Sequence, residues 1–315
     1  MKTRHHSCML VLFCVAILSA VPTMAQTQTT PRSEPTAQTQ SDHQQTFTAP
    51  WQAMHALVAA VRTNDQAALL RIFGPEGKPL VSSGDAEEDA QNRQEFVQHY
   101  EQAHRLVKEP NGEVTLYVGA KNWPFPIPLV EANGRWSFDT NAGKEQILMR
   151  RIGRNEMTAI ELCHELVAAE KEHFAGAHPG EAGQYAPYFV AQKGEHNGLY
   201  HPVEHGQPEI GPLLAQAGMQ GSGEHKPFHG YFFRTLAKQG ADAPGGAKDY
   251  IVDGKMTGGF AFVAYPAEYE STGVMTFIVN QDGTVYEKDL GPNTAQLAKE
   301  MDSFNPDASW SKTGE

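Results

Sequence analysis

Over residues 49–73 the apolar side chains recur at helical spacing. Met54, Leu57, Val58 and Val61 form one stripe, and Pro50 suits the first turn, where a missing N–H leaves nothing unsatisfied. Thr63-Asn64-Asp65 breaks this helix and caps a second one carrying Ala68, Leu69, Ile72 and Phe73, which Gly74-Pro75 stops. A third amphipathic helix is predicted over residues 87–107, with Phe96, Val97, Tyr100 and His104 near one face. Its acidic first turn complements the helix dipole.

The period then shortens to that of strands. Residues 114–118 and 127–131 read as extended, and the Pro-rich segment 123–126 precedes the second of them. Asn133-Gly134 is a hairpin turn, and residues 135–138 return from it. A long helix is predicted over residues 144–174, with Gly153 expected to interrupt or kink it and Met157, Ile160, Cys163 and Val167 on one face. A loop-rich span over residues 176–226 follows, heavy in Gly, His and Pro and pinned by Tyr185, Tyr188, Phe189 and Tyr200. Strands over residues 228–236 and 250–252 flank a Gly-rich turn at 243–246. The block 258–291 reads as further strands. Phe260, Phe262 and Ala264 alternate with differently facing neighbours, a second run starts at Val274, and Asp282-Gly283 turns into Val285-Tyr286. Residues 294–301 close the chain as a short helix. Helices followed by antiparallel strands, twice over, predict an α+β fold class in two domains, residues 47–142 and 143–315.

The N-terminus carries a different signal. Lys2 and Arg4 precede an apolar run over residues 8–20, and Thr23-Met24-Ala25 offers a small-x-small cleavage site before Gln26. Residues 1–25 are therefore expected to be a signal peptide, which places the protein outside the cytoplasm, periplasmic or extracellular. The apolar run is short for a membrane span, and no later segment is apolar enough for one. No integral membrane segment is thus expected after cleavage. Residues 26–46, rich in Thr, Gln, Pro and Ser, read as a disordered tether.

Cleavage removes Cys8 and Cys14 and leaves Cys163, which has no partner for an internal disulfide. The fold must rest on its apolar core, for which 315 residues are ample. The formal net charge is −12, and losing Lys2 and Arg4 makes it two units more negative. That balance argues against a broad nucleic-acid or anionic-membrane footprint, and no nucleic-acid partner is expected.

Of 14 histidines, all but His5 and His6 lie beyond the signal segment. His196, His201 and His205 cluster in a loop, and His225 and His229 flank a strand entry. Zinc takes His nitrogen, so these five are the metal-ligand candidates, although no HExxH or Cys-pair spacing accompanies them. Cys163 and His164 are helix neighbours that point about 100° apart, and Cys163 shares its face with Ile160 and Val167, so a buried inert thiol is expected. No Gly-x-Ser-x-Gly or phosphate-cradling loop occurs, and no cofactor is called for. Arg150, Arg151 and Arg154 form the one concentrated positive patch. Asp139 and Glu156 lie near it in sequence, as a candidate acid–base or ligand-binding pair or as the partners that neutralise it. Trp123 opens a Pro-rich aromatic segment, which is either a binding edge or a strand entry packed on the core.

Several segments carry a family resemblance: WPFPIPLV at 123–130, GRWSFDT at 134–140, RIGRNE at 151–156, APGG at 243–246, GGFA at 258–261, FIVN at 277–280 and KDLG at 288–291. In this order they resemble a bacterial exported family catalogued as "domain of unknown function 2950". The resemblance implies an exported protein of a family without an assigned activity. The first half also resembles cystatin-like and nuclear-transport-factor-like domains, in which a sheet curls around a helix. The second half resembles the globular part of type IV pilins and pseudopilins, on the helix at 156–174 and the sheet at 259–286. Pilins place their helix directly behind a membrane segment, whereas a whole domain precedes it here. The leading expectation is a non-enzymatic binding or assembly role at the bacterial envelope, with envelope proteins or a small ligand as partner. The rival is an exported hydrolase or metal-dependent enzyme that uses the histidine loops.

Overall fold

A computed structural model describes residues 43–82, 86–176, 183–192, 197–200, 212–219 and 226–314. The expected signal peptide, residues 26–42 of the expected tether, and His196, His201, His205 and His225 lie outside the described residues.

The first half opens with α1 (Pro50–Arg62) and α2 (Gln66–Phe73). The Asp65 carboxylate caps α2 by accepting from the Ala68 N–H at 2.9 Å. Two shorter steps follow, a single turn of 3₁₀-helix and α3 (Lys78–Val81), before α4 (Ala86–Gln102). The strands are β1 (His104–Lys108), β2 (Val114–Val118), β3 (Trp123–Pro124), β4 (Leu129–Ala132) and β5 (Arg135–Phe138), in the order β1-β2-β4-β5 with β3 also paired to β2. The β4–β5 turn is the expected Asn133-Gly134, with φ of 52° and 72°.

The third helix is shorter than the sequence predicts. It ends at Gln102, and His104–Lys108 is a strand antiparallel to β2, with His104 opposite Val118. The Gly119 N–H donates to the carbonyls of His99 and Ala103 and closes the helix end. Leu106 and Val107 fit helix and strand periods equally well over so short a run, so the partner strand decides. The attached chain begins before Phe47. The Gln44 side chain donates to the carbonyls of Ile72 and Phe138 at 2.9 and 2.7 Å, and Phe47 pairs with Trp136.

Helix α5 (Thr140–Phe174) has 35 residues and starts four residues earlier than predicted, because Asp139 accepts from the Ala142 N–H at 3.0 Å. Gly153 does not interrupt it. The expected boundary between residues 142 and 143 falls in its first turn, so the chain passes from one half to the other inside one helix. At its start, the Thr140 hydroxyl donates to the Phe73 carbonyl at 2.7 Å and Gly143 lies against Ile127. From Asn155 onward it grips the second half, where Asn155 Nδ2 donates to the Thr272 carbonyl at 2.8 Å.

The second half adds β6 (Tyr188–Val190) and β7 (Gly198–Tyr200), a parallel pair, and α6 (Pro212–Met219). The chain then forms β8 (Tyr231–Leu236), β9 (Lys238–Gln239), β10 (Lys248–Asp249), β11 (Ile251–Val252), β12 (Lys255–Met256), β13 (Ala261–Pro266), β14 (Met275–Asn280) and β15 (Val285–Asp289). It closes with α7 (Thr294–Glu300), β16 (Ser303–Phe304) and β17 (Ser311–Lys312). The main sheet runs β17-β15-β14-β13-β8, all antiparallel. Every residue of β13 is buried, because both faces are covered. Phe262 and Ala264 pack with Leu162, Cys163 and Leu166 of α5, while Ala261, Val263 and Tyr265 pack with Ala298 of α7 and Phe304. Met157 leaves the face predicted for it and is 63% exposed, since the buried stripe of α5 runs through Ala159, Leu162, Cys163 and Leu166 instead. The Gly-rich turn is held by buried Gln239, which donates to the carbonyls of Pro244 and Gly246 and accepts from the Tyr250 hydroxyl. The fold is α+β.

Candidate functional site

Helix α4 offers few apolar side chains for its 17 residues. Phe96 and Tyr100 pack with Met54, Val58, Leu116 and Val118, and the rest of the face leaves space unfilled. A cleft of about 910 Å³ results. Leu57 and Val61 of α1, Leu69 and Phe73 of α2, and Leu80 and Val81 of α3 line one side of it. Val118, Phe125, Pro126 and Ile127 come from the sheet and its connections, and Ile147 and Arg154 from α5. A second pocket, of about 220 Å³, lies around Gln44, Gly74 and Asp139 and is too small for more than a fragment.

Most polar groups of the cleft are spaced along α4, and Lys121 and Arg154 join them from other elements. Arg93 forms an ion pair with Asp89 at 3.9 Å and donates to Asn64 Oδ1 at 2.6 Å and to the Val81 carbonyl, so it ties α4 to α3 and to the α1–α2 turn. Near the other end of α4, the Ala120 N–H donates to Gln102 Oε1 at 3.1 Å. That bond holds the turn after β2 and places Lys121 on the cleft wall. From Asp89 to His99 the helix rises about 15 Å, so these titratable groups do not converge. The arrangement suits gripping an apolar body and its polar end.

Of the residues singled out from the sequence, Trp123 and Arg154 both line this cleft. Trp123 is 48% exposed, while Pro126 and Ile127 behind it are buried. The segment is therefore a strand entry whose first side chain stays accessible. Arg150 lies over the Trp123 ring at 5.0 Å and donates to the Pro124 carbonyl at 2.7 Å. Partial burial lowers its guanidinium pKa from the ordinary value. Arg151 is exposed.

Asp139 and Glu156 do not join these arginines in any ion pair among the described residues, nor do they meet each other. Seventeen residues apart on one helix axis, they are separated by about 25 Å. Asp139 is the cap of α5. Glu156 Oε1 accepts the N–H groups of Val274 and Met275 at 2.9 and 3.0 Å, which clamps α5 to the start of β14. Burial, followed by the neighbouring Glu156 carboxylate, raises the Tyr231 phenol well above its ordinary range.

Cys163 is fully buried, and burial pushes its thiol up to about 12, so it is no nucleophile. His229 stands exposed in a turn at φ 44°, edge-on to Phe228 at 4.4 Å. Among the described residues no group of three or more His, Cys, Asp or Glu side chains stands together as a metal site. No described helix is long and apolar enough to cross a membrane.

Sequence patterning missed the cleft itself. Leu57, Leu69 and Phe96 carry the same periodicity whether they fill a core or line a cavity. The one available signal was the sparse apolar face of α4, which is too narrow to cover the sheet beneath it.

Fold and cleft together define an α+β protein with a ligand-sized apolar cavity in its first half. Residues 44–313 match the model of the family described as "Protein of unknown function (DUF2950)", and the chain belongs to that family. No curated protein and no solved structure matches it.

Proposed function

We propose that this is an exported, non-enzymatic binding protein that takes a small, mainly apolar molecule into the cleft under α4. The observation that carries this reading is the cleft itself. Its volume of about 910 Å³ falls in the range of ligand pockets, roughly 300–1,000 Å³, and its walls are mostly apolar, with polar groups along α4 and at Lys121 and Arg154. Protein interiors are otherwise close-packed, so an apolar void of this size costs contacts that a ligand would restore. Each square ångström of apolar ligand surface buried there contributes roughly 25 cal/mol.

Export rests on the charged, apolar and small-residue pattern of residues 1–25. Protein recovered outside the cytoplasm and beginning at Gln26 checks it, while a retained N-terminus refutes it. In this reading the second half is a pilin-like scaffold that holds α5, and the envelope is where ligand is captured.

Titration with N-phenyl-1-naphthylamine, a neutral probe that brightens in apolar surroundings, tests the binding role. Ile147 lines the cleft and is 37% exposed, so Ile147→Trp adds bulk there at little cost to folding. One saturable site in the native chain, lost in Ile147→Trp with an unchanged melting temperature, is the expected result. No saturable site, or one indifferent to Ile147→Trp, overturns the reading.

A further inference from the structure

The geometry points to an anionic amphiphile as the ligand, an apolar chain or ring system whose carboxylate, or a similar anion, is held between Lys121 and Arg154. This inference rests on the cleft being a binding site and adds the chemistry of what enters it.

Acids and unpaired cations come from different elements of the wall. The lining carboxylates, Asp89 and Glu95, both belong to α4, whereas Lys121 follows β2 and Arg154 belongs to α5. Asp89 faces Arg93, and Glu95 accepts from Gln91 at 3.4 Å. Lys121 stands two helical turns farther on. It is fixed there because Gln102, seven residues after Glu95, receives the Ala120 N–H. Seven residues of helix rise about 10 Å, so Lys121 is not neutralised by the acids of the same wall. Arg154 reaches the cleft from α5. Arg150, one turn earlier in α5, packs on the Trp123 ring at 5.0 Å, and the next turn brings Arg154 to the cleft.

Neither Lys121 nor Arg154 makes an ion pair or side-chain hydrogen bond among the described residues. On a chain of formal net charge −12, two such cations bordering one apolar volume are complementary to an anion at the end of an apolar body. A neutral ligand would leave both without a partner. Because both cations are exposed to solvent, the preference they confer is modest and falls with salt.

Isothermal titration of the full chain with monomeric dodecanoate and with dodecanol, which have the same tail, tests this. Dodecanoate is expected to bind roughly three- to tenfold tighter at low ionic strength, as two solvent-exposed charge contacts allow. Arg154→Gln and Lys121→Gln should each reduce that ratio, and the double variant should bring it near one. Equal affinity for the two ligands in the native chain, or a ratio untouched by both substitutions, overturns the anion assignment and leaves the cleft reading standing. Failure of both ligands to bind overturns the cleft reading as well.

Discussion

Glu156 shows how one carboxylate acquires a role that no local spacing reveals. Its partners, the N–H groups of Val274 and Met275, lie 118 and 119 residues away in sequence. Read from the sequence, it sits beside three arginines and resembles half of an ion pair. In the fold its role is to satisfy backbone donors at the α5–β14 junction. Asp139 differs, because its partner is local: it caps α5 by accepting the Ala142 N–H three residues on. Trp123 and Arg154 were legible as unusual residues, but their shared cleft was not, because α5 must first carry Arg154 back to the sheet. Glu170 is fully buried, with Oε2 accepting the Ala186 N–H at 2.8 Å and Oε1 without a hydrogen-bond partner among the described residues. Burial raises its carboxyl well above the ordinary 4.5, with the Ala186 N–H pulling the other way. The folded chain therefore holds this proton at pH values where the unfolded chain has released it. Stability should fall as pH climbs from about 4.5 through the raised folded value, and level off above it. Glu170→Gln removes the titration, so its denaturation midpoint should vary less over that window and exceed that of the native chain above it. A pH profile identical to the native one would contradict this assignment.

At the scale of elements, the long strongly patterned segments were legible and the marginal ones were not. α1, α2, β2 and the strands of residues 258–291 follow from period and turn chemistry alone, since their apolar faces are wide and their turns are Asn-Gly or Gly-rich. The error at residues 103–107 came from five residues whose fate depends on β2. Helix α5 carries two glycines that the sequence treats alike and the fold separates. A Cβ on Gly143 would lie 2.7 Å from Ile127 Cγ1, whereas one on Gly153 would meet nothing within 4 Å. Gly143→Ala should therefore destabilise by about 1–3 kcal/mol through overpacking. Gly153→Ala should stabilise by roughly 0.5–1 kcal/mol through reduced backbone entropy in the unfolded chain. Urea denaturation of the two variants reads both signs, and a common sign would refute the account of α5 as one uninterrupted helix packed at its start.

For the whole molecule, described residues of the second half cover both faces of its sheet, and the first half keeps a cavity. In the proposed reading the ligand is held in the first half, and the second half anchors α5. The α+β class was legible because helix and strand periods alternate cleanly along the chain. The cavity was not, because it is a deficit of volume rather than a pattern of residues. Its occupancy is tested most directly by a crystal structure of the full chain with an ω-brominated dodecanoate. We expect an anomalous bromine peak inside the cleft, among Leu57, Leu69 and Phe96, with the carboxylate toward Lys121 and Arg154. A ligand that saturates the protein in solution yet places its bromine outside the cleft would contradict the account.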